Sequence, residues 1–346
     1  MVENKANRDE HGKPRKELCD GVSDNLEALE PLDLSKINSF SEMADAMSKT
    51  ALGGRQLGEA VDVLYEMKDK YVVLTLSGIM TVAKMGLIIC DLIDNGVVNA
   101  IVSTGALVTH GLIEGAGMQH FKYKRKMKDK ELYYKGYNRI YDTIELESNF
   151  LEAGKITFEV FDTLRSPTSS SEINRALGKY LSDKVKGRGI LKSAYKKNVP
   201  VYIPAFSDSE LGLDFALYNR QSEKTLKFDP FFDLEHLVEQ LVQKNELGIF
   251  TIGGGVPRNW AQQIGPYVDA LQRMFKTHNK FVRYKYGVRI CPEPAHWGGL
   301  SGCTYSEGVS WGKFVPEDEG GRYAEVICDA TIALPIIAKA LFERIS

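Results

Sequence analysis

The chain has 346 residues, 43% of them hydrophobic and 26% charged, which is an ordinary composition for a globular protein with a large core. Its formal net charge of −2 gives no general attraction to nucleic acid or to an acidic membrane surface. The five cysteines are scattered and form no C-x-x-C pair, which argues against both a disulfide framework and a structural zinc site.

Residues 1–30 are predicted to form a flexible tail, because they are polar, mixed in charge and poor in aromatic side chains. They contain no apolar signal segment, and no later run is long and apolar enough to span a bilayer. Scattered cysteines fit a reducing compartment. We therefore expect a cytoplasmic protein in which residues 31–346 form one domain.

Strands and helices alternate along the first part of this domain. Residues 71–77 and 97–104 are apolar, β-rich runs, whereas the neighbouring stretches have the apolar spacing of helices. The helical stretches are 56–70, 79–96 and 105–117. Such alternation is typical of a parallel sheet covered by helices on both faces.

The same alternation returns after residue 190. Predicted strands lie at 198–206, 247–255, 280–290 and 322–330, and predicted helices at 190–197, 232–245, 257–275 and 331–345. The chain shows no repeat of fixed period and no Pro/Ser/Gly-rich linker. These features predict a single α/β domain.

Two segments are predicted to be irregular. Residues 121–141 are rich in Lys, Arg and Tyr, and their basic run KYKRKMKDK could bind RNA or phosphate, although a solvated face is the preferred interpretation. Residues 291–319 are rich in Gly, Ser and Pro. A connection of that length is typically functional or disordered, and its four aromatic side chains favour a functional loop.

Glycine-rich turns follow two of the predicted strands. Gly253, Gly254 and Gly255 lie between an apolar strand and a helix, where glycine lets a ligand approach the backbone and the helix N-terminus offers N–H groups to a phosphate. Residues 103–106 form a similar small-residue turn. Two such turns suit a ligand crevice of an open sheet, but the spacing is not G-x-G-x-x-G, and a plain strand–helix turn is the alternative.

Lys313 lies in the long loop, directly after Trp311 and Gly312. A lysine becomes nucleophilic where burial or a neighbouring cation disfavours its ammonium form, and Trp311 could supply an apolar wall for an amine substrate. The alternative is an ordinary surface lysine.

Carboxylates follow two predicted strands. Asp208 and Asp329 come where parallel strands deliver ligand-binding groups, although helix capping would also explain them. Glu307 precedes Lys313 by six residues and could bind a cationic substrate or act as a base. Among the histidines, His110 and His296 lie beside the candidate loops, but no pair has metal-ligand spacing, so we predict no metal.

Several segments together resemble one family. The segments GGGVPRNW, LSG…EGVSWGK, CDATIALP, PVYIPAFSDSELG and KGYNRIYD resemble deoxyhypusine synthase in sequence, order and spacing, over roughly residues 55–345. The S-W-G-K match around the lysine is highly specific, whereas the triple glycine alone is not.

This resemblance implies a doubly wound, mostly parallel, Rossmann-like α/β fold and a homotetramer whose active sites are shared across subunit interfaces. It also implies a reaction in which NAD takes a hydride from the carbon beside an amine of spermidine. The lysine corresponding to Lys313 then captures the four-carbon fragment as an imine and passes it to a second amine. The acceptor is a lysine of a translation factor in the founding members and putrescine in related homospermidine synthases.

The resemblance also assigns residues to roles. Lys313 corresponds to the imine-forming nucleophile. The predicted substrate-binding residues are Glu307, Trp311, Ser301, Asn259, His110 and Trp297. The predicted NAD-binding residues are Gly253, Gly254, Gly255, Asp208, Asp329, Ala330, Thr104 and Gly105.

The departures from the family pattern concern residues that bind the substrate in that family. Thr109 and His110 stand in place of a glutamate pair, Asn259 in place of a histidine, and Leu213 in place of an aspartate, and the loop at 297–302 lacks two aspartates. A cationic polyamine therefore loses several anionic partners. We expect transfer of a butyl fragment between small amines (putrescine, agmatine or spermidine), giving a homospermidine-like or bis-guanidino product. The alternatives are modification of a protein lysine and a non-catalytic regulatory paralogue.

Overall fold

The computed structural model describes residues 21–277 and 280–346. The strands are β1 Tyr71–Leu76, β2 Ala100–Val102, β3 Phe121–Lys122, β4 Tyr137–Ile140, β5 Thr143–Leu146, β6 Val201–Tyr202, β7 Leu247–Ile252, β8 Tyr286–Ile290 and β9 Arg322–Val326. The helices are α1 Phe40–Ser48, α2 Leu52–Glu66, α3 Ile79–Val82, α4 Gly86–Asp94, α5 Gly105–Gly115, α6 Asp129–Tyr134, α7 Glu147–Thr163, α8 Ser170–Lys184, α9 Ile190–Lys197, α10 Glu210–Gln221, α11 Pro230–Val242, α12 Gly255–Gln262, α13 Ile264–Phe275, α14 Tyr305–Ser310 and α15 Ala330–Ile345.

The main sheet has six strands in the order β6-β2-β1-β7-β8-β9, and every neighbouring pair is parallel. The chain builds outward from β1 through β2 to β6, then returns to the centre and builds outward from β7 to β9. The strand order therefore reverses between β1 and β7. This doubly wound, mostly parallel sheet confirms the predicted α/β fold class.

Side-chain alternation along the central strands explains why both faces of the sheet are covered. In β1, Val72 and Leu74 belong to one hydrophobic core, whereas Val73 belongs to a second core that also contains Ile249 of β7. Successive strand residues point to opposite faces. A strand with two buried faces therefore has a continuous apolar sequence. Such apolar runs are the basis on which β1 and β7 were predicted.

Several predicted elements are shorter or divided in the structure. The predicted strands at 198–206 and 280–290 are reduced to β6 and β8. The predicted helix at 79–96 is two helices, α3 and α4, because Lys84 between them has φ +64°, a conformation that no helix contains. The segment at 121–141, predicted to be irregular, contributes to a second, antiparallel sheet in the order β3-β5-β4.

The predicted tail is only partly described. Residues 1–20 lie outside the described residues, as do Cys19 and His278, and residues 21–30 form no helix or strand. Cys90, Cys291, Cys303 and Cys328 are free thiols. None of the helices in residues 21–277 and 280–346 has the length and apolar character that crossing a bilayer requires.

Candidate active site

The turns that contain Gly78, Thr104 and Gly254 meet where the strand order reverses. They follow the carboxyl ends of the adjacent strands β2, β1 and β7. A Cβ atom added to Gly78 would lie 2.4 Å from Thr104 Oγ1, and one added to Gly254 would lie 3.0 Å from the Ser77 amide nitrogen. Because the turns approach one another this closely, glycine is required at both positions. A crevice at this place is the usual ligand site of a doubly wound sheet.

The two predicted cofactor turns suit a phosphate-containing ligand. Gly253 and Gly254 have φ values of +61° and +81°, which glycine adopts at little cost. The helices that follow the turns, α5 and α12, receive no side-chain cap from Thr104 or Gly254, so amide groups of their first turns are free to bind an anion. These residues therefore fit the pyrophosphate of a dinucleotide.

The two predicted carboxylates differ in their surroundings. Asp329 caps α15, because its Oδ1 accepts a hydrogen bond of 2.7 Å from the Thr331 amide, and the Thr331 hydrogen bonds lower the pKa of Asp329. Its capping interpretation is confirmed, and Ala330 is the first residue of the helix. Asp208 is exposed, and α10 is capped by Ser209 instead. Capping was thus the wrong alternative for Asp208.

Lys313 lies in a cavity of about 270 Å³ between α12 and the long loop. The side chain is not on the surface, since the residue is only 7% exposed. Its Nζ donates a hydrogen bond of 3.0 Å to Asn259 Oδ1 and lies 5.7 Å from the centroid of the Trp311 ring. Glu307 also lines the cavity. The fold therefore brings the predicted nucleophile together with three of the predicted substrate-binding residues.

The surroundings of Lys313 shift its titration toward the neutral form. Burial lowers the pKa of Lys313 and the nearby Arg258 guanidinium lowers it further, while Cys303 and Glu307 act in the opposite direction. A neutral amine has the lone pair that attacks a carbonyl or imine carbon. The surface-lysine alternative is therefore wrong, and the cavity is chemically suited to imine formation.

Arg258 is a buried residue beside the candidate site that the sequence analysis did not single out. It is 1% exposed, and its Nη1 donates to the carbonyl oxygens of Leu300 (3.1 Å) and Cys303 (2.6 Å). The guanidinium carbon lies 5.4 Å from the centroid of the Tyr305 ring. Arg258 thus anchors the loop and places a fixed cation near Lys313. Nothing in its local sequence distinguishes it from a surface arginine on a helix.

Three predicted substrate-binding residues lie outside this cavity. Trp297 is 71% exposed and does not line it. Ser301 hydrogen-bonds Glu293 through its hydroxyl and accepts from Arg289 through its carbonyl oxygen, so it stabilises the loop. His110 belongs to a separate buried cluster.

That cluster joins α5 to the small sheet. His110 Nδ1 and His120 Nε2 lie 3.2 Å and 2.6 Å from Glu145 Oε2, and the donor atoms of the three side chains lie within 4.8 Å of one another. Such a group is close enough to hold a metal. Spacings of 10 and 35 residues match no ligand motif, so the sequence could not show it.

The lysine cavity and the glycine turn are neighbours separated by the loop. A Cβ atom on Gly255 would lie 2.9 Å from Leu300 Cβ, and Leu300 lines the other side, facing the Lys313 cavity. Of the residues described, none of the predicted NAD contacts lines that cavity. Within one chain, the two halves of the predicted active site are therefore divided by Leu300 and its neighbours.

Comparison with known proteins identifies one family. A family model described as deoxyhypusine synthase matches residues 42–341. A "Probable deoxyhypusine synthase 2" from Methanosarcina acetivorans is 37% identical over 320 residues, covering 91% of this chain and 89% of the relative. A "Deoxyhypusine synthase-like protein" from Chlorobaculum parvum is 32% identical over 328 residues, covering 92% and 90%.

A solved structure gives the same fold. The crystal structure of a "putative deoxyhypusine synthase" from Entamoeba histolytica superposes with a TM-score of 0.58 at 14% identity, covering 91% of this chain and 97% of that one. At that identity the likeness concerns the fold alone.

Proposed function

The chain belongs to the deoxyhypusine synthase family, a family of aminobutyl transferases, and from this premise we propose that it is an NAD-dependent transferase that moves a four-carbon amine fragment between small amines. The donor would be spermidine, putrescine or agmatine. The product would be homospermidine-like or, from agmatine, bis-guanidino. One observation carries the proposal: a buried lysine whose pKa is lowered lies in a cavity in which Glu307 is the one carboxylate among the described residues that line it.

Each residue of the cavity would have its own role in the reaction. Lys313 would attack the oxidised carbon of the donor, displace the nitrogen that this carbon carried (as diaminopropane from spermidine, or as ammonia from putrescine or agmatine) and hold the four-carbon fragment as an imine, since a lowered pKa makes its nucleophilic neutral form more accessible. The Trp311 ring and the Glu307 carboxylate would hold the cationic end of the fragment. Asn259, which hydrogen-bonds Lys313 Nζ, would orient the amine before attack. Arg258 would keep the loop closed over the site and, together with burial, lower the pKa of the lysine.

NAD, when bound, would supply the hydride acceptor of this reaction. The residues that fit it are the glycine turn Gly253–Gly255 and the turn at Thr104 and Gly105, whose helix N-termini can hold its phosphates. Asp208, Asp329 and Ala330 also follow carboxyl ends of strands, but these strands, β6 and β9, are the outermost strands on opposite sides of the sheet. We place the enzyme in the cytoplasm as a homotetramer, in which a neighbouring subunit completes each site.

A second candidate is a deoxyhypusine synthase that modifies a lysine of a translation factor. The printed names of the archaeal relatives at 32–37% identity favour it. Against it stands the small number of anions around Lys313. A third candidate, a non-catalytic paralogue, is disfavoured because Lys313 and its buried surroundings are retained.

The test is a substrate screen read by mass spectrometry. The protein would be incubated with NAD and with spermidine, putrescine or agmatine, alone and in pairs. A condensed small-amine product supports the proposal and names the donor. Release of diaminopropane from spermidine without such a product would favour the protein-acceptor candidate instead.

Imine trapping locates the intermediate. Borohydride added with NAD and the donor should add the fragment mass to the peptide that contains Lys313. The Lys313→Arg variant, which keeps the charge, is the matched control and should not be labelled. Absence of label from the wild-type protein under every donor would contradict the transferase proposal.

A further inference from the structure

Three side chains outside the lysine cavity converge on one point between α5 and the small sheet. His110 Nδ1 lies 3.2 Å from Glu145 Oε2, His120 Nε2 lies 2.6 Å from the same oxygen, and the two ring nitrogens are 3.3 Å apart. Ligand atoms held about 2.0–2.1 Å from a zinc ion at tetrahedral angles lie about 3.3 Å from one another. Two of the three separations are already close to that value, and the third would open on binding.

The converging atoms are shielded from solvent. Glu145 is 0% exposed and His110 6%, and the side chain of His120 is 1% exposed. A carboxylate in such a place needs a cation or a full set of N–H donors. The Leu146 amide (2.9 Å) and Asn149 Nδ2 (2.7 Å) donate to Oε1, so Oε2 is left to the two imidazoles and to a cation held between them.

A second layer of contacts fixes the ligand atoms in position, as is usual around bound metal ions. The Asn149 amide nitrogen that binds the carboxylate also donates to the Gln119 carbonyl oxygen at 3.0 Å, directly before His120. One amide group therefore positions both the carboxylate and the segment that carries a histidine. The His110 ring packs edge-on against Phe150, with ring centroids 5.8 Å apart, which restricts its orientation.

Two imidazole nitrogens and one carboxylate oxygen form the donor set of a divalent transition-metal ion. Imidazole suits zinc, copper, iron and nickel, whereas magnesium and calcium prefer oxygen ligands. Three protein ligands leave one coordination position for water. The ligands come from α5, from the segment before β3 and from β5, so a bound ion would link α5 to the small antiparallel sheet.

Lys84 competes with a metal ion for His120. Its Nζ lies 3.0 Å from His120 Nδ1 and 3.3 Å from Glu114 Oε1. A histidine that binds a metal through Nε2 carries its proton on Nδ1 and needs an acceptor there, which an ammonium group cannot supply. The side chain of Lys84 is 46% exposed, so it can turn away from the ring into solvent when the ion binds.

We propose that His110, His120 and Glu145 bind one divalent transition-metal ion, and that this ion stabilises the junction of α5 with the small sheet. Zinc is the expected ion, because two histidines, one glutamate and a water form a common zinc site. None of these three side chains lines the Lys313 cavity, and the inference does not depend on the proposed transferase activity. It departs from the expectation of no metal because the fold assembles ligands that have no motif spacing along the chain.

Cobalt substitution tests the site without any activity measurement. The full protein, stripped with a chelator, would be titrated with Co²⁺ while its visible absorption is recorded. We expect one equivalent to give the d–d bands of a nitrogen–oxygen site of low coordination number, and zinc to displace it. His110→Gln and Glu145→Gln should abolish these bands. The matched control is His236→Gln, which removes a half-buried histidine bound to Tyr202 and should retain them.

Three results would overturn the proposal. The first is failure of the wild-type protein to bind one equivalent of cobalt or zinc, which decides the question even if a ligand variant does not fold. The second is a thiolate-to-cobalt charge-transfer band, which would assign the ion to a cysteine. The third is a loss of binding in His236→Gln as large as that in His110→Gln.

The effect of zinc on unfolding tests the stabilising role. Zinc should raise the unfolding temperature of the wild-type protein but not that of Glu145→Gln, since an ion that binds only the folded state stabilises it. An equal rise in both proteins would contradict the assignment.

Removal of the competing ammonium group tests the geometry at His120. Lys84→Gln should strengthen cobalt binding by about tenfold, because its amide oxygen can accept from Nδ1–H. Lys179→Gln is the matched control, since Lys179 is also an exposed lysine paired with a carboxylate, and it should leave the affinity unchanged. Unchanged or weaker binding in Lys84→Gln would contradict coordination by His120 through Nε2.

Discussion

At the scale of single residues, the reactivity of Lys313 depends on the charge of what it contacts. Asn259 offers a neutral acceptor 3.0 Å from Nζ, so the hydrogen bond orients the amine while stabilising its charged form less than a carboxylate would. Asn259→Asp would place a carboxylate there and raise the pKa of Lys313. We expect the pH profile of borohydride trapping to move to higher pH, with about a tenfold slower rate near neutrality for each pKa unit.

The control for that change is Asn259→Gln, which keeps a neutral amide. It should lower the rate through misplacement without moving the profile along the pH axis. An unchanged profile in Asn259→Asp would mean that the hydrogen bond seen here does not govern the lysine.

Arg258 provides a second, independent influence on the same lysine. Its guanidinium lowers the pKa of Lys313 and also binds two loop carbonyl oxygens. Arg258→Leu should therefore raise the pKa of Lys313 and also loosen the loop. Arg258→Lys keeps the charge but not the paired geometry, so it should retain the wild-type pH profile while losing stability. Equal pH profiles in all three proteins would contradict the electrostatic role.

At the scale of secondary-structure elements, one aspartate can serve both a helix and a ligand. Asp329 caps α15 through Thr331. Asp329→Ala should lower the free energy of unfolding by about 1 kcal/mol, whereas Asp329→Asn, which still caps, should not. If both variants weaken NAD binding, measured by calorimetry, the carboxylate contacts the cofactor in addition to capping. If only the alanine variant does, the residue acts through the helix.

The pH dependence of this cap has a definite sign. Because the pKa of Asp329 is lowered in the folded protein by the Thr331 hydrogen bonds, its contribution is fully present above the unfolded pKa of about 3.9. It is lost as the pH falls through the folded value. Asp329→Asn should lack this acid-dependent component. The difference in unfolding temperature between wild type and Asp329→Asn, followed from neutral pH downward, measures it.

The break between α3 and α4 places the Lys84 side chain against His120. A continuous helix would have carried Lys84 along its side, but the turn at φ +64° ends α3 and sends the side chain to His120. The sequence pattern predicted one helix because its apolar spacing continues through the break. Hydrophobic periodicity records which face is buried and not whether the backbone is interrupted.

At the scale of the whole molecule, the division of the predicted site by Leu300 bears on assembly. If each site combines the glycine turn of one chain with Lys313 of another, two inactive variants should complement each other. Lys313→Arg lacks the proposed nucleophile, and Gly254→Val would strain a turn at φ +81° and close its approach to Ser77. Mixed after partial denaturation and reassembly, the two should regain about a quarter of wild-type activity, since random pairing yields that share of intact sites.

The individually reassembled variants are the controls and should remain inactive. Recovery of no activity in the mixture, with wild-type chains reassembling normally under the same conditions, would place both halves of the site in one chain. Movement of the Leu300 segment would then be required to join them.

The sequence by itself determined the fold class and the family. Apolar runs such as 71–77 predict strands buried on both faces, because consecutive apolar side chains need cover on both sides of a sheet. The S-W-G-K segment identifies Lys313 through its resemblance to the family. The glycine turn was also predictable, since glycine adopts positive φ values at little cost and leaves room for close approach of the backbone.

Only the tertiary structure decided how the candidate site is built. Arg258 shows no local pattern that marks it as buried, and His110 of α5, His120 of the loop before β3 and Glu145 of β5 meet only in the folded chain. Ser301, predicted at the substrate, lies outside the lysine cavity and hydrogen-bonds Glu293 and Arg289 instead, and Trp297 is exposed. Pairing of charges and hydrogen bonds over long sequence separations depends on how loops pack, and local sequence does not contain that information.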